Sequence, residues 1–182
     1  MVVFDRFLSR LFLQGPDQWV VKGGFALQLR LGARARTTKD IDLLVMGEVQ
    51  EIYPQLREAG AIDLGDWFTF EVSDTIHSDI YDIGGLRYRL YSLLNGRTFE
   101  RFHIDIGIGD PLFAPVEYLE TPALLAFAGI EPTIVPCYPI TQQIAEKYHA
   151  FTRPHVSGVS SRVKDFVDML LLAKMGELDS VS

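Results

Sequence analysis

The residues best suited to chemistry are Asp40 and Asp42, two positions apart in Asp40-Ile41-Asp42, and Asp105 in His103-Ile104-Asp105-Ile106. In an extended strand the period of two puts Asp40 and Asp42 on one side, and Ile41 and Leu43 on the other. Two carboxylates held that close repel each other unless a cation or a proton lies between them. Hard divalent cations such as Mg²⁺ take carboxylate oxygens and keep positions open for phosphate. Asp105, on a separate strand, can supply a third carboxylate. Upstream, Gly23-Gly24 marks a strand-to-helix junction, where backbone N–H groups can approach a phosphate and the helix N-terminus favours anions. Singly, an Asp-x-Asp is more often a cap or a solvated edge, and a Gly-Gly more often a turn. Glycine turn, short helix, paired carboxylates and a later strand aspartate together describe a site for a metal ion and a triphosphate.

Periodicity supplies the elements that must position these residues. Apolar residues at Phe4, Phe7, Leu8, Leu11 and Phe12 predict a helix that ends at Gly15-Pro16. Trp19 to Val21 reads as a strand, Gly24 to Leu31 as a helix, Ile41 to Val45 as a strand, and Glu48 to Ala59 as a helix closed by Gly60. Trp67 to Val72 reads as a strand whose aromatics are core. Asn95-Gly96, between two alternating runs, predicts a hairpin over Leu86 to Ile108. There Phe102, Ile104, Ile106 and Ile108 point one way, and Phe99, Arg101, His103 and Asp105 the other. Tyr88 and Tyr91 are read as sheet contacts. Thr141 to Phe151 and Ser161 to Met175 read as helices separated by Pro154 and Gly158. Ile144, Tyr148 and Phe151 form the expected buried stripe of the first, and Val163, Phe166, Val167 and Leu170 that of the second. The sum is a mixed α/β chain, largely β in the middle, with helices at both ends.

The combination of Gly23-Gly24, Asp40-Ile41-Asp42 and His103-Ile104-Asp105-Ile106 resembles the signature of the nucleotidyltransferase fold shared with DNA polymerase β. Gln143-Ile144-Ala145-Glu146-Lys147-Tyr148-His149-Ala150 and Arg162-Val163-Lys164-Asp165-Phe166-Val167-Asp168 resemble the third and fourth motifs of the AbiEii/AbiGii toxin family. The four motifs stand in the family's order from residue 22 to residue 168, with Gly24 where the family usually carries Ser. The resemblance implies a small mixed sheet flanked by helices, with a core over 1–138 and helices over 139–182 completing the nucleotide site in the same compact unit. It implies transfer of NMP from an NTP to an acceptor hydroxyl, on the tRNA 3′ end or on protein. Mg²⁺ or Mn²⁺ would be held by Asp40, Asp42 and Asp105. Lys22, Gly23, Gly24, Arg36, Lys39 and Lys147 would bind the triphosphate, with Asp165 orienting Lys147. An antitoxin encoded nearby is the implied partner. The alternatives are an inactive nucleotide-binding module and an antibiotic-modifying adenylyltransferase.

Composition agrees with an enzyme of this kind. The chain has 182 residues, 17 Lys+Arg against 24 Asp+Glu for a net charge of −7, and 48% hydrophobic residues, an ordinary globular balance. Disordered, collagenous and solenoid classes are excluded. An acidic total argues against coating nucleic acid through bulk charge, although Arg30, Arg34, Arg36 and Lys39 form a local basic cluster just before Asp40. The apolar stretch from Leu119 to Val135 is broken by Glu120, Pro122, Glu131 and Pro132, which argues against a membrane span. Asp5, Arg6 and Arg10 remove the apolar centre of a signal peptide, so the expected location is cytoplasmic. The single cysteine, Cys137, excludes an internal disulfide and reads as a small core residue.

Overall fold

The structure, a computed structural model, describes residues 1–46, 52–73, 76–77, 85–152 and 163–175. One sheet organises them, with strand order β3-β5-β6-β2-β1-β8-β7, and β4 pairing with β5 at the β3 edge. The strands are β1 (Trp19–Lys22), β2 (Asp40–Val45), β3 (Phe68–Val72), β4 (Ile76–His77), β5 (Gly85–Leu94), β6 (Arg97–Ile108), β7 (Glu117–Glu120) and β8 (Ile134–Cys137). The helices are α1 (Val2–Gln14), α2 (Gly23–Leu31), α3 (Ile52–Ala61), α4 (Ile140–Thr152) and α5 (Val163–Met175). β2 runs parallel to β6 and antiparallel to β1, and β5 runs antiparallel to β6. None of the described helices is long and apolar enough to cross a membrane.

One face of the sheet is apolar and covered by helices. Ile41 and Leu43 of β2, Ile104 and Ile106 of β6, and Tyr88 and Leu90 of β5 join Phe4, Phe7, Leu8 and Leu11 of α1 in the main core. Phe4 meets Phe25 at 5.3 Å and Phe102 at 5.1 Å between ring centroids, an aromatic cluster that pins α1 to the sheet. Alternation then forces the remaining side chains of β2 and β6 to the opposite face, where the aspartates stand.

Several expectations differ from what is found. The α3 helix continues through Gly60 to Ala61, and Gly60 is needed there because a Cβ would meet the Phe70 carbonyl oxygen at 2.7 Å. The first residues of that predicted helix, together with Pro154, Gly158, Ser161 and Arg162, lie outside the described residues. Strict alternation in β6 ends at a slip in pairing beside Ser92 and Leu93, and Phe99 packs edge-on against Phe68 at 5.6 Å. Trp67 is 73% exposed with a positive φ and so is not core, whereas Phe68 and Phe70 are. The β7–β8 hairpin was not foreseen, because β8 is short and carries Pro136. Cys137 is buried in the core, and Tyr88 is buried and stacks on Tyr53.

Away from the aspartates, a buried charge pair ties α1 to the edge of the sheet. Arg10, wholly buried, donates to Asp66 at 2.5 and 2.9 Å and to the carbonyls of Arg6, Ile62 and Phe68, each at 2.8 Å. Burial alone would raise the Asp66 pKa, but the Arg10 hydrogen bonds and the Phe68 N–H outweigh it and hold the carboxyl below the usual range. Arg10→Ala leaves that buried carboxylate only the Phe68 N–H and Arg6 at 3.7 Å, so the unfolding free energy should fall by about 3 kcal/mol in urea titrations. The stability this pair contributes should be present at neutral pH and lost as the pH drops through the depressed Asp66 value.

Candidate active site

Strand register sets four charges in one row across the polar face. Lys22 of β1 is the cross-strand partner of Asp42 on β2, Asp42 of Asp105 on β6, and Asp105 of Arg87 on β5. Directly opposed residues on neighbouring strands point to the same face, so the row reads cation, anion, anion, cation. The next row holds Asp40, His103 and Arg89. His103 Nδ1 lies 3.2 Å from Asp40 Oδ1. Arg87 grips Asp105 through both oxygens, Nε to Oδ1 at 2.5 Å and Nη2 to Oδ2 at 2.6 Å. Lys22 leans away, donating to Asp110 at 2.6 Å with its ammonium 5.5 Å from the centre of the Tyr138 ring.

The glycine turn sits against this row. Gly23 opens α2 with φ +61, and a Cβ there would collide with the Asp42 carboxylate, so only glycine lets β2 pass so closely. The Gly24 N–H donates to Asp42 Oδ2 at 3.2 Å and fixes that carboxylate. Gln143 Nε2 donates to the Gly23 carbonyl at 2.7 Å, which joins α4 to the turn. Between them lies a cleft of about 210 Å³ lined by Lys22, Gly23, Asp42, Gln143, Glu146, Lys147, Ala150 and Asp165.

α5 turns inward a different face from the one expected, and α4 does so in part, since Ile144 still packs on the Leu27, Leu31 and Leu172 cluster. On α4 the buried residues are Gln142, Gln143 and Lys147, while Tyr148 is 62% exposed. Gln142 donates to the Pro111 carbonyl at 2.8 Å and accepts from the Phe113 N–H at 3.1 Å, so the polar stripe is buried because its hydrogen bonds are satisfied. On α5, Val163, Phe166, Val167 and Leu170 are exposed, whereas Asp168 and Leu172 are fully buried. Phe166 finds partial cover by stacking on Phe151 at 5.5 Å.

The reason is charge. Lys147 donates to Asp168 Oδ2 at 2.7 Å and to Asp165 Oδ1 at 3.3 Å, and Arg36 also reaches Asp168 Oδ2 at 3.3 Å. Asp168 thus faces Lys147 on α4 and Arg36 on the other side. Its Oδ1 is buried with no hydrogen-bond partner among the described residues.

Of the residues picked out by sequence, Lys22, Gly23, Asp42, Lys147 and Asp165 line one cleft. Asp40 and Asp105 extend it along the sheet, and Gly24 and Arg36 stand behind it, where a Cβ on Gly24 would meet Thr38 Oγ1 at 3.1 Å and Arg36 Nη2 at 3.6 Å. Lys39 is exposed and does not line the cleft. Arg30 of the basic cluster is a structural residue, bonded to Gln143 at 2.6 Å, Glu117 at 2.7 Å and the Tyr138 carbonyl at 2.5 Å. Sequence reasoning missed Arg87, and it left Asp168 outside the site; register opposite Asp105 and the i, i+3 spacing from Asp165 were the available signals.

The electrostatics of the row suit a cation. The Asp42 carboxyl is pushed up to about 6, first by burial and then by the neighbouring Asp105 charge, with Gly24 and Lys22 pulling partly the other way. No three acidic, histidine or cysteine side chains among the described residues are gathered closely enough to hold an ion as they stand. The donor chemistry nevertheless fits a divalent cation: oxygen ligands only, on adjacent strands, with a like-charge repulsion that such an ion would relieve. Because the folded chain holds the Asp42 proton more tightly than the unfolded chain, stability in EDTA should rise as the pH falls from about 6 toward 3.8. Asp42→Asn should therefore stabilise the chain at pH 7.5 by on the order of 2 kcal/mol, with a gap that closes in acid, as read by urea unfolding across pH. A gap independent of pH would refute a displaced Asp42 titration.

Comparisons with known proteins give the family and the fold. The family described as nucleotidyl transferase AbiEii toxin, type IV toxin–antitoxin system, matches residues 6–182. Similar solved structures include the MenT4 nucleotidyltransferase toxin of Mycobacterium tuberculosis, at 23% identity and TM-score 0.59, over 82% of this chain and 51% of that one. JHP933 of Helicobacter pylori is 17% identical with TM-score 0.58, over 95% and 66%. An antigenic nucleotidyltransferase-like protein of Paracoccidioides brasiliensis is 14% identical with TM-score 0.61, over 96% and 75%. The chain thus spans about half the length of the mycobacterial toxin. No curated protein matches it. With the fold shared by these structures and the family match running over nearly all of its length, the chain belongs to the AbiEii family of nucleotidyltransferase toxins.

Proposed function

We propose that this chain transfers a nucleoside monophosphate from an NTP to an acceptor hydroxyl, the 3′ end of tRNA, as the toxin of a two-gene system with an antitoxin encoded nearby. The observation that carries this reading is the cleft in which Asp42, the Gly23-Gly24 turn and the buried Lys147 face one another. Asp40, Asp42 and Asp105 would hold Mg²⁺ or Mn²⁺, which when bound neutralises phosphate charge and activates the attacking hydroxyl. The acceptor hydroxyl gives its proton to solvent as its oxygen bonds to the α-phosphorus, and the bond from that phosphorus to the bridging oxygen breaks, so that pyrophosphate leaves with the electron pair.

The chain's own residues position and neutralise, which is most of what such a transfer requires. Gly24 N–H orients Asp42, and Gly23 leaves room for that carboxylate. Lys147 and Arg36, anchored on Asp168, present positive charge toward the triphosphate. Asp165 acts by holding Lys147, because a carboxylate beside an ammonium is a weak base. The helices over 139–182 complete the nucleotide site of the core over 1–138. NTP and tRNA are cytoplasmic reactants, so the proposed reaction belongs in the cytoplasm.

The test is incubation with Mg²⁺, each α-labelled NTP in turn, and total tRNA or total cell protein. Label should appear on tRNA and fall by roughly a hundredfold or more with Asp42→Asn. Asp168→Asn, which loosens Lys147, should raise the KM for NTP more than it lowers kcat. Label on protein would change the acceptor. NTP binding without transfer to any acceptor would favour a nucleotide-binding module, a reading to which the Arg87 guanidinium clamped on Asp105 lends some weight.

A further inference from the structure

Arg87 is the cation nearest the proposed metal ligands. It is the register partner of Asp105 across the β5–β6 hairpin, and its guanidinium takes both Asp105 oxygens at 2.5 and 2.6 Å. The same guanidinium lies 3.8 Å from Asp40 Oδ2, so it bridges two of the three carboxylates. The Asp105 side chain is only 9% exposed, and the pair is shielded from solvent on most sides. A planar fork on both oxygens takes about two of the carboxylate's roughly four lone pairs and sets a positive charge against it, which repels another cation. The cation at the other end of the row does not compete for the role, because Lys22 is drawn to Asp110 at 2.6 Å.

We infer that Arg87 is a resident counter-cation which occupies the divalent ion's place at Asp105 and Asp40 and must be displaced when that ion binds. This rests on the reading of Asp40, Asp42 and Asp105 as cation ligands. Arg87 keeps the carboxylates neutralised and the sheet stable without metal, and it lowers the apparent metal affinity because each ion that binds must first break two charge-assisted hydrogen bonds.

Mn²⁺ binding read by calorimetry and by its electron paramagnetic resonance signal tests the inference independently of turnover. Arg87→Gln should bind Mn²⁺ roughly tenfold tighter or more, and should unfold at a lower urea concentration in EDTA. Arg87→Lys, which keeps the charge but lacks the bidentate fork, should also gain affinity, by less. Arg89→Gln removes a like charge two residues along β5, opposite His103, and should change affinity less than threefold. Asp42-dependent Mn²⁺ binding that is unchanged or weaker in both folded Arg87 variants would overturn the inference while leaving the metal reading intact. An equal gain in Arg89→Gln would overturn it too, by reducing the effect to bulk charge. If Asp42→Asn abolishes no Mn²⁺ binding in any background, the reading of the carboxylates fails and the inference with it.

Discussion

The parallel pairing of β2 with β6 is the constraint on which the rest depends. It sets Asp42 directly beside Asp105 and Asp40 beside His103, and it leaves two adjacent carboxylates to be neutralised by whatever lies on either flank. The flanks are supplied by the same sheet: β1 contributes Lys22 and β5 contributes Arg87. A slip of one residue in any pairing would turn that strand's contribution to the apolar face, under α1. The hydrophobic core and the charged row are therefore two consequences of a single register. The aromatic cluster of Phe4, Phe25 and Phe102 that fastens α1 to one face holds the aspartates in place on the other.

The C-terminal helices obey the same electrostatics. Burying Lys147 is costly unless an acid accompanies it. Asp168 and Asp165 provide that acid, with Arg36 sharing Asp168 from the other side. This obliges α5 to present its carboxylates inward and to leave Val163, Phe166, Val167 and Leu170 largely uncovered. Helix orientation is here decided by the charge that most needs a partner, and apolar periodicity yields to it.

How far the sequence could be read follows from the same distinction. The strand and helix around Gly23-Gly24, the β2 aspartates and the Asn95-Gly96 hairpin were legible, since local turn chemistry and alternation dominate there. Their convergence on one face was legible only through the motif order. The inward faces of α4 and α5 were not, because amphipathic periodicity assumes that the apolar side is buried, and both helices bury polar residues that are hydrogen-bonded. Arg87 escaped notice because its role is set by the register opposite Asp105. The Arg10–Asp66 pair, separated by 56 residues, likewise has no signature along the chain.

The order in which the chain closes on itself adds a temporal side to the β5–β6 hairpin. Arg87 and Asp105 are 18 residues apart and are joined by a tight turn, whereas Asp40 and His103 are separated by 63. Short loops close at smaller entropic cost and sooner than long ones. A folding chain therefore delivers Asp105 to its guanidinium before β2 arrives with the other two carboxylates. Asp105 thus meets the other carboxylates with its charge already answered, while contacts of wider separation, such as Arg36 with Asp168 across 132 residues, cost more still to close.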